Sequence, residues 1–491
     1  MDRVALRYKN RIMSAEKAAQ FVRSGMTLGM SGFTGVGYPK ALPKALAQAQ
    51  SADSLTVCIG ASAGDDLDGV MARAGIIKTR YAYQSNADLR RAINSGSVGY
   101  SDMHLSHFPV FVNRHTGPHI DIAIVECAAI TEEGLIPTAS IGSMDAVVRA
   151  ADQVIVEVNG SVPTEIMGMH DIFEVGIPPN AEPVCIRHPV DRIGKPYVFC
   201  EPEKIAAVVL TDMEDQAPKF KPPGAATEQI GANIIRFLKD EVKAGRLPKN
   251  LAPIQSGVGS VGNAVLQSLG SSDFRGLTMY TEVMQTSALK LLDEGVFSHI
   301  STCAVSLDAE TRRRFYENIA AYKDRIVIRP QEISNHPEVI RRLGVLAINT
   351  PIEVDIYGNV NSSHVMGSRI MNGIGGSGDF TRNAGISIFA TESLAKDGRI
   401  SCIVPMVSHV DHTEHDVHVV VTEQGLADLR WKTPTERAEL LIENCAHPSY
   451  RPLLRDYFER AGKEAPGKHT PHILSEAFSW HTRYLQTGSM R

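Results

Sequence analysis

Short apolar runs rich in β-branched residues alternate along this chain with longer stretches rich in Ala, Leu, Lys and Glu. The runs predict strands at Leu55–Ile59, Asp121–Glu126, Gln153–Val158, Ala206–Leu210, Leu277–Thr281, Arg325–Ile328, Val345–Ile348, Ile386–Phe389, Cys402–Met406 and His418–Thr422. The stretches between them predict helices, which include Ala15–Arg23, Lys40–Gln50, Thr227–Ala244, Thr311–Tyr322 and Thr435–Asn444. Apolar strands joined by helices form mostly parallel sheets that are covered on both faces. The pattern therefore predicts an α/β fold and excludes all-α and all-β folds.

The best candidate for a domain boundary is the segment Asp215–Thr227, which contains three prolines and a glycine. Such a composition is typical of an extended linker. It divides the 491 residues into halves of similar size, and we predict domains at 1–220 and 221–491. Each half contains a similar strand, glycine turn and helix pattern, at 31–42 and at 256–266. These two patterns leave duplication and a chance likeness equally open.

Composition and charge exclude several classes of protein. Charged residues make up 21% of the chain and hydrophobic residues 43%, as in ordinary globular proteins. The net charge of -5 argues against nucleic-acid binding, and no apolar run approaches the ~20 residues of a membrane helix. The seven cysteines form no CxxC pair, and the start of the chain lacks the apolar core of a signal peptide. We expect a cytoplasmic protein, although a mitochondrial matrix protein without its leader would look the same.

A glycine motif in the second half matches the dinucleotide-binding fingerprint. Gly257-x-Gly259-x-x-Gly262 follows the apolar run Leu251–Ile254 and opens a predicted helix. Glu282 ends a predicted strand 20 residues after Gly262, where such a domain places its ribose-binding acid. From the pattern alone, a nicotinamide site and a tight turn without a ligand both remain open.

Glu282 has a second interpretation. A carboxylate that leaves the carboxyl end of a parallel strand lies at the usual site edge of an α/β sheet. A predicted helix, Ser287–Glu294, follows at once. An ionised carboxylate in this position can act as a nucleophile toward an activated acyl group. The alternative is an ordinary acidic residue near the start of a helix.

Three further motifs bear on phosphate or acyl chemistry. The loop Gly373–Phe380 holds four glycines whose N–H groups could converge on an anion or an oxyanion, or it is simply a flexible loop. The stretch Gly462–His469 is close to a Walker A motif, but it follows a predicted helix and lacks the final Ser or Thr. Ser260 lacks the first glycine of a nucleophile elbow. We therefore expect neither ATP chemistry nor a serine hydrolase.

Four histidines recur at intervals of three, at 409, 412, 415 and 418, with acidic residues among them. A metal site is one interpretation. However, the following residues are strand-like, and residues three apart on an extended chain face opposite sides. We favour a polar loop with His–carboxylate hydrogen bonds, and we predict no metal ligand.

The motifs together resemble the acetyl-CoA hydrolase/transferase family of class I CoA-transferases, and within it the succinyl-CoA:acetate and propionyl-CoA:succinate enzymes. The matching stretches keep one order over nearly the whole chain: Ser31–Pro39, Gln255–Gly259 with Asn263–Val265, Tyr280–Gln285, Arg329–Asn335, Asn372–Phe380, Val404–His412 and Thr422–Gly425. Thr286 departs from the acidic residue expected there.

The resemblance implies two α/β domains of the CoA-transferase (NagB/RpiA-like) type with the active site between them, and a homodimer. It implies that Glu282 is the catalytic nucleophile, that Gly376 and the Val258 backbone form the oxyanion hole, and that Asn335 and Glu423 lie near the nucleophile. The implied CoA contacts are Gln255, Ser256, Gly257, Val258, Gly259, Asn372, Gly376 and Lys396. No metal or nicotinamide is implied, and coenzyme A is a substrate rather than a resident cofactor.

The implied activity is ping-pong transfer of CoA between a short acyl-CoA and a small carboxylate through a glutamyl-CoA thioester. Hydrolysis of acetyl-CoA by the same Glu is the alternative, because water can replace the acceptor acid. The sequence does not distinguish acetate, propionate and succinate as substrates.

Overall fold

A computed structural model describes residues 3–218 and 222–491 of the chain. These residues form two compact units, each assembled from separate segments. The first unit comprises Met1–Lys219, Thr278–Leu289 and Ser298–Arg342; the second comprises Phe220–Leu277, Lys290–Phe297 and Leu343–Arg491. The units differ from the predicted continuous domains 1–220 and 221–491 by two segments, one of which carries Glu282. Segment 298–342 is hydrogen-bonded to the amino-terminal segment through Val305 N to Ala139 O and Ile141 N to Cys303 O, and segment 278–289 is bonded in turn to segment 298–342 through Cys303 N to Glu282 O.

The predicted linker 215–227 is ordered at both of its ends. Asp215 is buried and accepts hydrogen bonds from Gly37 N, at 3.1 Å, and from the buried Lys40 ammonium, at 2.8 Å. At the other end, a long helix begins at Ala225. Residues 219–221 lie outside the described residues. Asp215 is therefore an anchored residue of the first unit rather than part of a solvated linker.

The first unit is built on a large sheet with helices around it. Its strands from the amino-terminal segment are β1 (Thr27–Met30), β2 (Phe33–Thr34), β3 (Leu55–Ser62), β4 (Ile77–Gln84), β5 (Gly99–Ser101), β6 (Ile122–Ile130), β7 (Leu135–Pro137), β8 (Gln153–Asn159) and β9 (Ile205–Thr211). Its helices there are α1 (Ala15–Ala19), α2 (Ala41–Ala49), α3 (Val70–Arg73), α4 (Ala87–Asn94), α5 (His107–Asn113) and α6 (Met144–Ala150). Single turns of 3-10 or π-helix lie at Leu6–Arg11, Asp65–Gly69, Thr164–Ile166 and Pro202–Lys204.

The later segments add the remaining elements. The strands are β10 (Ile254–Ser256), β11 (Leu277–Tyr280), β12 (Val283–Gln285), β13 (Phe297–Thr302), β14 (Ala304–Ser306), β15 (Ile326–Ile328), β16 (Leu346–Asn349), β17 (Glu353–Asp355), β18 (Val360–Asn361), β19 (His364–Val365), β20 (Arg369–Ile370), β21 (Ile386–Ala390), β22 (Leu394–Ala395), β23 (Ile400–Ser401), β24 (Ile403–Val404), β25 (Val419–Thr422) and β26 (Gly425–Asp428). The helices are α7 (Ala225–Lys243), α8 (Ser260–Gly270), α9 (Thr286–Asp293), α10 (Ala309–Glu317), α11 (Ile319–Tyr322), α12 (Gln331–Ser334), α13 (Pro337–Leu343), α14 (Ser377–Asn383), α15 (Pro434–Asn444), α16 (Arg451–Glu464) and α17 (Ser479–Thr487).

Both halves of the chain use the same order of parallel strands. In the first, the path is β5-β4-β3-β1-β6-β8-β9, with β7 antiparallel beside β6. The order β15-β13-β11 repeats β5-β4-β3, and the order β10-β16-β21-β25 of the second unit repeats β1-β6-β8-β9. The strands β1 and β10, which precede the two glycine turns, occupy equivalent places. This shared order favours duplication over a chance likeness.

The α/β prediction is confirmed, and every strand named from the sequence overlaps a strand of the structure. The strands are apolar because both faces are covered; every residue of β6, for example, is buried. The predicted helix Thr311–Tyr322 is divided at Asn318 into α10 and α11. Among the described residues, no helix combines the length and apolar character needed to cross a membrane.

Candidate active site

Glu282 lies in the short connection between β11 and β12, and its side chain is buried. Its backbone carbonyl accepts hydrogen bonds from the Thr302 hydroxyl, Cys303 N and Ala304 N, each at 2.9 Å. These three donors span the end of β13 and the start of β14. The main chain that carries the carboxylate is therefore fixed by a neighbouring strand rather than by solvent.

The Glu282 carboxylate is bound by the predicted partner Asn335. The Asn335 amide donates to Glu282 Oε1 at 3.1 Å, and Asn335 is fully buried. The Ser334 hydroxyl donates to the amide oxygen of Asn335 at 2.9 Å, so the amide nitrogen is the atom that faces the carboxylate. The structure thus brings together two residues that lie 53 positions apart in the sequence.

Helix α12 places Asn335, and Gln331 anchors that helix. Gln331 N donates to Gly142 O at 2.8 Å, and its side-chain amide donates to Leu105 O at 2.6 Å. The Ser143 hydroxyl and Gln331 Oε1 are 3.1 Å apart. A Cβ at Gly60 would lie 1.9 Å from Gln331 Oε1, so only glycine leaves room for this side chain. Sequence reasoning included Gln331 in a matching stretch but gave it no role.

Arg329 fixes the chain just before α12. Its buried guanidinium pairs with the buried carboxylate of Asp171 and donates to the Ser301 hydroxyl at 2.8 Å. It also donates to the carbonyl of Pro189 at 3.0 Å. A paired and hydrogen-bonded buried charge is expensive to disrupt, so these contacts hold the segment that ends at Asn335 in one place.

The predicted CoA loop, 255–259, follows β10 in the second unit. Gln255 uses its side chain within the sheet: its amide nitrogen lies 3.2 Å from Asn349 Oδ1, and Ile348 N donates to its oxygen at 3.1 Å. Gly259 has a φ of +134°, which favours glycine. Helix α8 begins immediately afterwards without a side-chain cap. Uncapped N–H groups at a helix start are suited to binding an anion.

Close packing inside this loop depends on its last glycine. A Cβ at Gly262 would lie 2.2 Å from Gly257 O. Val258, predicted to offer its N–H to an oxyanion, has a side chain that is 47% exposed. The loop therefore keeps its backbone tight while the Val258 side chain remains at the surface of the second unit.

The second predicted oxyanion donor, Gly376, also lies in the second unit, immediately before α14. The Ser377 hydroxyl donates to Ile374 O at 2.7 Å, and this contact closes the turn. Asn372, a predicted CoA contact, uses its amide to bind Gly373 O at 2.9 Å. Lys396, another predicted CoA contact, directly follows β22, and its side chain is exposed.

Glu423 directly follows β25 in the second unit. It accepts hydrogen bonds from Ser393 N, at 2.8 Å, and from the Ser393 hydroxyl. The Gln424 amide adds a third donor at 2.9 Å. Burial opposes ionisation of Glu423, but these donors outweigh it and lower the pKa of the carboxyl group. Glu423 is therefore held as a carboxylate.

The four histidines of the 409–418 segment face different partners. His409 lies 3.5 Å from Asp411 and its ring stacks on that of His364. His412 Nε2 is 3.0 Å from the Ser377 hydroxyl, His415 contacts Thr413, and His418 Nδ1 accepts a hydrogen bond from Ser387 N. Among the described residues, the one group spaced to hold a metal is instead His119, Asp121 and Asp152. Of the four, His409 faces a carboxylate as predicted, and the other three face hydroxyl groups or a backbone N–H.

Comparison with known proteins identifies the family. The family models for the acetyl-CoA hydrolase/transferase N-terminal and C-terminal domains match residues 1–210 and 312–458. The chain is 52% identical to the succinyl-CoA:acetate CoA-transferase of Clostridium kluyveri, over 99% of this chain and 91% of that protein. It belongs to the acetyl-CoA hydrolase/transferase family. Its membership makes it an enzyme of acyl-CoA transfer or hydrolysis.

Other members of the family differ in activity. The chain is 42% identical to the propanoyl-CoA:succinate CoA transferase of Escherichia coli, over 97% of this chain and 98% of that protein. It is also 42% identical to an acetyl-CoA hydrolase of Schizosaccharomyces pombe, over 98% of this chain and 96% of that protein. A solved 4-hydroxybutyrate CoA-transferase from Porphyromonas gingivalis has the same fold, with a TM-score of 0.63 and 21% identity, over 92% of this chain and 98% of that one.

Proposed function

We propose that this protein transfers CoA between a short-chain acyl-CoA and a small carboxylate, with Glu282 as the covalent nucleophile. The observation that carries the proposal is the buried Glu282 carboxylate at the end of β11, hydrogen-bonded on one oxygen by the buried Asn335 amide. Acetyl-, propionyl- and succinyl-CoA are the candidate donors, and acetate, propionate and succinate the candidate acceptors. The names of the transferase relatives support this choice.

The reaction has two chemical stages on the way to the covalent enzyme. A Glu282 oxygen attacks the acyl carbonyl, the C–S bond breaks, and CoA leaves as a thiolate while an acyl-glutamyl anhydride forms. The thiolate then attacks the Glu282 carbonyl, the anhydride C–O bond breaks, and the donor acid leaves. A glutamyl-CoA thioester remains. An acceptor carboxylate reverses both stages, so the thioester energy is kept and no ATP or other cofactor is consumed.

Each attack passes through a tetrahedral oxyanion. We assign its stabilisation to the N–H groups of Val258 and Gly376, because backbone donors in glycine loops are suited to that task, and loss of one such donor typically costs ~3 kcal/mol. We assign to Asn335 the orientation of Glu282. We assign Glu423 to the surroundings of the nucleophile, and Gln255–Gly259, Asn372 and Lys396 to CoA. The homodimer and the cytoplasmic location remain parts of this proposal that rest on resemblance and composition.

Hydrolysis is the second candidate function. The fungal acetyl-CoA hydrolase shows that family members can carry that name at 42% identity to this chain. In chemical terms, water attacks either covalent intermediate in place of the acceptor acid. The two functions differ in whether CoA release needs an acceptor.

A rate comparison tests the proposed function. Wild type, Glu282→Gln and the control Glu310→Gln, whose side chain is exposed on α10, are assayed with acetyl-CoA and succinyl-CoA, with and without acceptor acid. We expect transfer by wild type and Glu310→Gln, and at least a thousandfold loss in Glu282→Gln, in the range typical of removing a nucleophile. Substantial transfer by Glu282→Gln would refute the proposal, and CoA release that is indifferent to acceptor would support hydrolysis.

A further inference from the structure

The carboxyl ends of β3 and β4 lie side by side in the first unit, the same unit that holds Glu282. Ser62 is paired with Gln84 in the register of the two strands, and Ser85 N donates to Ser62 O at 3.1 Å. Carboxyl ends of parallel strands form the ligand-binding edge of α/β sheets. Side chains at these two strand ends are therefore positioned to bind a substrate.

Two buried polar side chains at this edge are unsatisfied. Gln84 is fully buried, and neither its amide nitrogen nor its amide oxygen has a hydrogen-bond partner. The Ser62 hydroxyl, also fully buried, is unpartnered too. An unpaired buried polar group costs free energy, so native proteins rarely keep one without a reason such as a ligand or an ordered water.

A cation lies beside them. Arg90, on α4, reaches back toward the start of its helix and donates to Ser85 O at 3.0 Å, while its Nε has no partner. Among the described residues, no carboxylate lies within ion-pair distance of Arg90. Burial lowers the pKa of Arg90, which is the expected effect on a cation without a countercharge. We call Ser62, Gln84 and Arg90 the strand-end cluster.

The strand-end cluster adjoins the part of β3 that packs against α12. A Cβ at Gly60, two residues before Ser62, would lie 1.9 Å from Gln331 Oε1, and the helix that begins at Gln331 is followed directly by Asn335, the partner of Glu282.

Tyr83 precedes Gln84, and its pKa is raised chiefly by burial, with further contributions from the nearby carboxylates of Asp102 and Glu282. The Ser85 hydroxyl and Arg90 oppose that rise. Asp102 accepts a hydrogen bond from the Tyr100 hydroxyl at 3.3 Å, and Asp102 and Glu282 are the negative groups that act on Tyr83. Arg90 makes no ion pair with either carboxylate, so its charge remains available to an anionic ligand.

We propose that the strand-end cluster binds the free carboxylate of a dicarboxylic acyl group such as succinyl, with Arg90 as its countercharge and the Gln84 amide as its hydrogen-bond donor. A guanidinium and an amide are suited to a carboxylate, which accepts from several donors. A monocarboxylic acyl group such as acetyl has nothing to place there. This inference rests on the proposed function, because it concerns the acyl group that reacts with Glu282.

The test compares substrates within each variant. KM and kcat are measured for succinyl-CoA and for acetyl-CoA with Arg90→Met, Gln84→Leu and the control Arg91→Met. Arg91 is the next residue on α4, but its side chain is 76% exposed and pairs with Asp88. We expect Arg90→Met to raise KM for succinyl-CoA by about tenfold or more, as loss of a charge-assisted bond predicts, and to change KM for acetyl-CoA by less than about twofold.

Gln84→Leu is expected to raise KM for succinyl-CoA selectively as well, but by less than Arg90→Met. It provides the test if Arg90→Met does not fold. Arg91→Met should match wild type for both substrates. Equal effects on the two substrates, or none, would overturn the inference. Formation of the CoA adduct on Glu282 from acetyl-CoA is recorded for the same variants. If the adduct forms while selectivity is unchanged, this inference fails and the proposed function stands. If wild type transfers CoA without forming the adduct, both fail.

Discussion

Glu332 is a buried carboxyl group three residues before Asn335, on the helix that places it. Burial raises its pKa to about 8, the neighbouring Asp145 carboxylate adds to the rise, and Arg149 opposes it. Asp145 is itself buried, with a pKa of about 6 for the same chief reason. At neutral pH the Glu332 carboxyl group is therefore mainly protonated. It then places no buried negative charge beside the carboxylate of Asp145.

The pH dependence of stability tests this protonation. Because the folded protein binds the Glu332 proton more tightly than the unfolded chain, the stabilisation is fully present below the ordinary pKa of 4.5 and is lost as pH rises toward about 8. Glu332→Gln removes this dependence. We therefore expect the melting temperature of the wild type to fall more steeply between pH 5 and 8 than that of Glu332→Gln. The exposed control Glu310→Gln should follow wild type; parallel curves for all three proteins would contradict the account.

Sequence reasoning could find the residues whose chemistry and position both stand out. Glu282 was identifiable as an acid at the end of a predicted strand, and Asn335 through its family motif. Gln84 was not, because a glutamine at the end of an unrecognised strand has no signal in one sequence. Its importance depends on burial without a partner, which only the packing of β3 against β4 reveals.

Helix α12 is the element on which the candidate site depends most directly. It has only four residues, too few for a helix to be stable on its own, so its position must come from tertiary contacts. Gln331 makes those contacts to Gly142, Leu105 and Ser143, and it fits because Gly60 on β3 has no side chain. A strand of the large sheet thereby sets the position of the Asn335 amide.

Gly60→Ala should displace this helix. The added Cβ would lie 1.9 Å from Gln331 Oε1, and the Gln331 amide is held by its own hydrogen bonds. We expect a loss of about 1–3 kcal/mol in the free energy of unfolding, as for overpacking elsewhere, together with a lower kcat. Gly117→Ala is the matched control, since a Cβ there would have no neighbour within 4 Å. If both variants unfold at the same denaturant concentration and retain full activity, Gly60 does not position α12.

Strands were predictable where the sequence contains a clear run of apolar, β-branched residues. The largely apolar strands β3, β6 and β8 were all identified, because burial on both faces favours runs rich in β-branched and other apolar residues. Strand β4 was missed: its sequence includes Lys78 and Arg80, and Ala82 has a φ of +65°, a backbone irregularity that no local pattern announces. Arg80 is nevertheless buried, beside Asp68.

At the scale of the whole chain, the two halves share a strand order. They differ in what binds the N–H groups at the start of the helix after each glycine turn. In the first half, the Glu157 carboxylate accepts hydrogen bonds from the N–H groups of Lys40, Ala41 and Leu42 at the start of α2, at 2.8, 3.1 and 2.6 Å. In the second half, the residue before the equivalent helix α8 is Gly259, which has no side chain to accept such hydrogen bonds. An internal carboxylate thus occupies the anion site of the first half, which agrees with the assignment of CoA binding to the second.

The compact units also show the limit of reading domains along a sequence. The proline-rich stretch near 220 lies between the amino-terminal segment of the first unit and the first segment of the second. The return of 278–289 and 298–342 to the first unit had no such signal, because it depends on long-range contacts such as the ion pair between Arg329 and Asp171. Glu282 lies in the first of these returning segments.

The central claim is that Glu282 carries CoA covalently. The most direct measurement is the intact mass of the protein after incubation with acetyl-CoA or succinyl-CoA without an acceptor acid, followed by digestion to locate the adduct. The account predicts the mass of a CoA thioester on the peptide that contains Glu282, and its absence from Glu282→Gln. An unmodified wild-type protein that still transfers CoA when acceptor is added, or an adduct on another peptide, would contradict it.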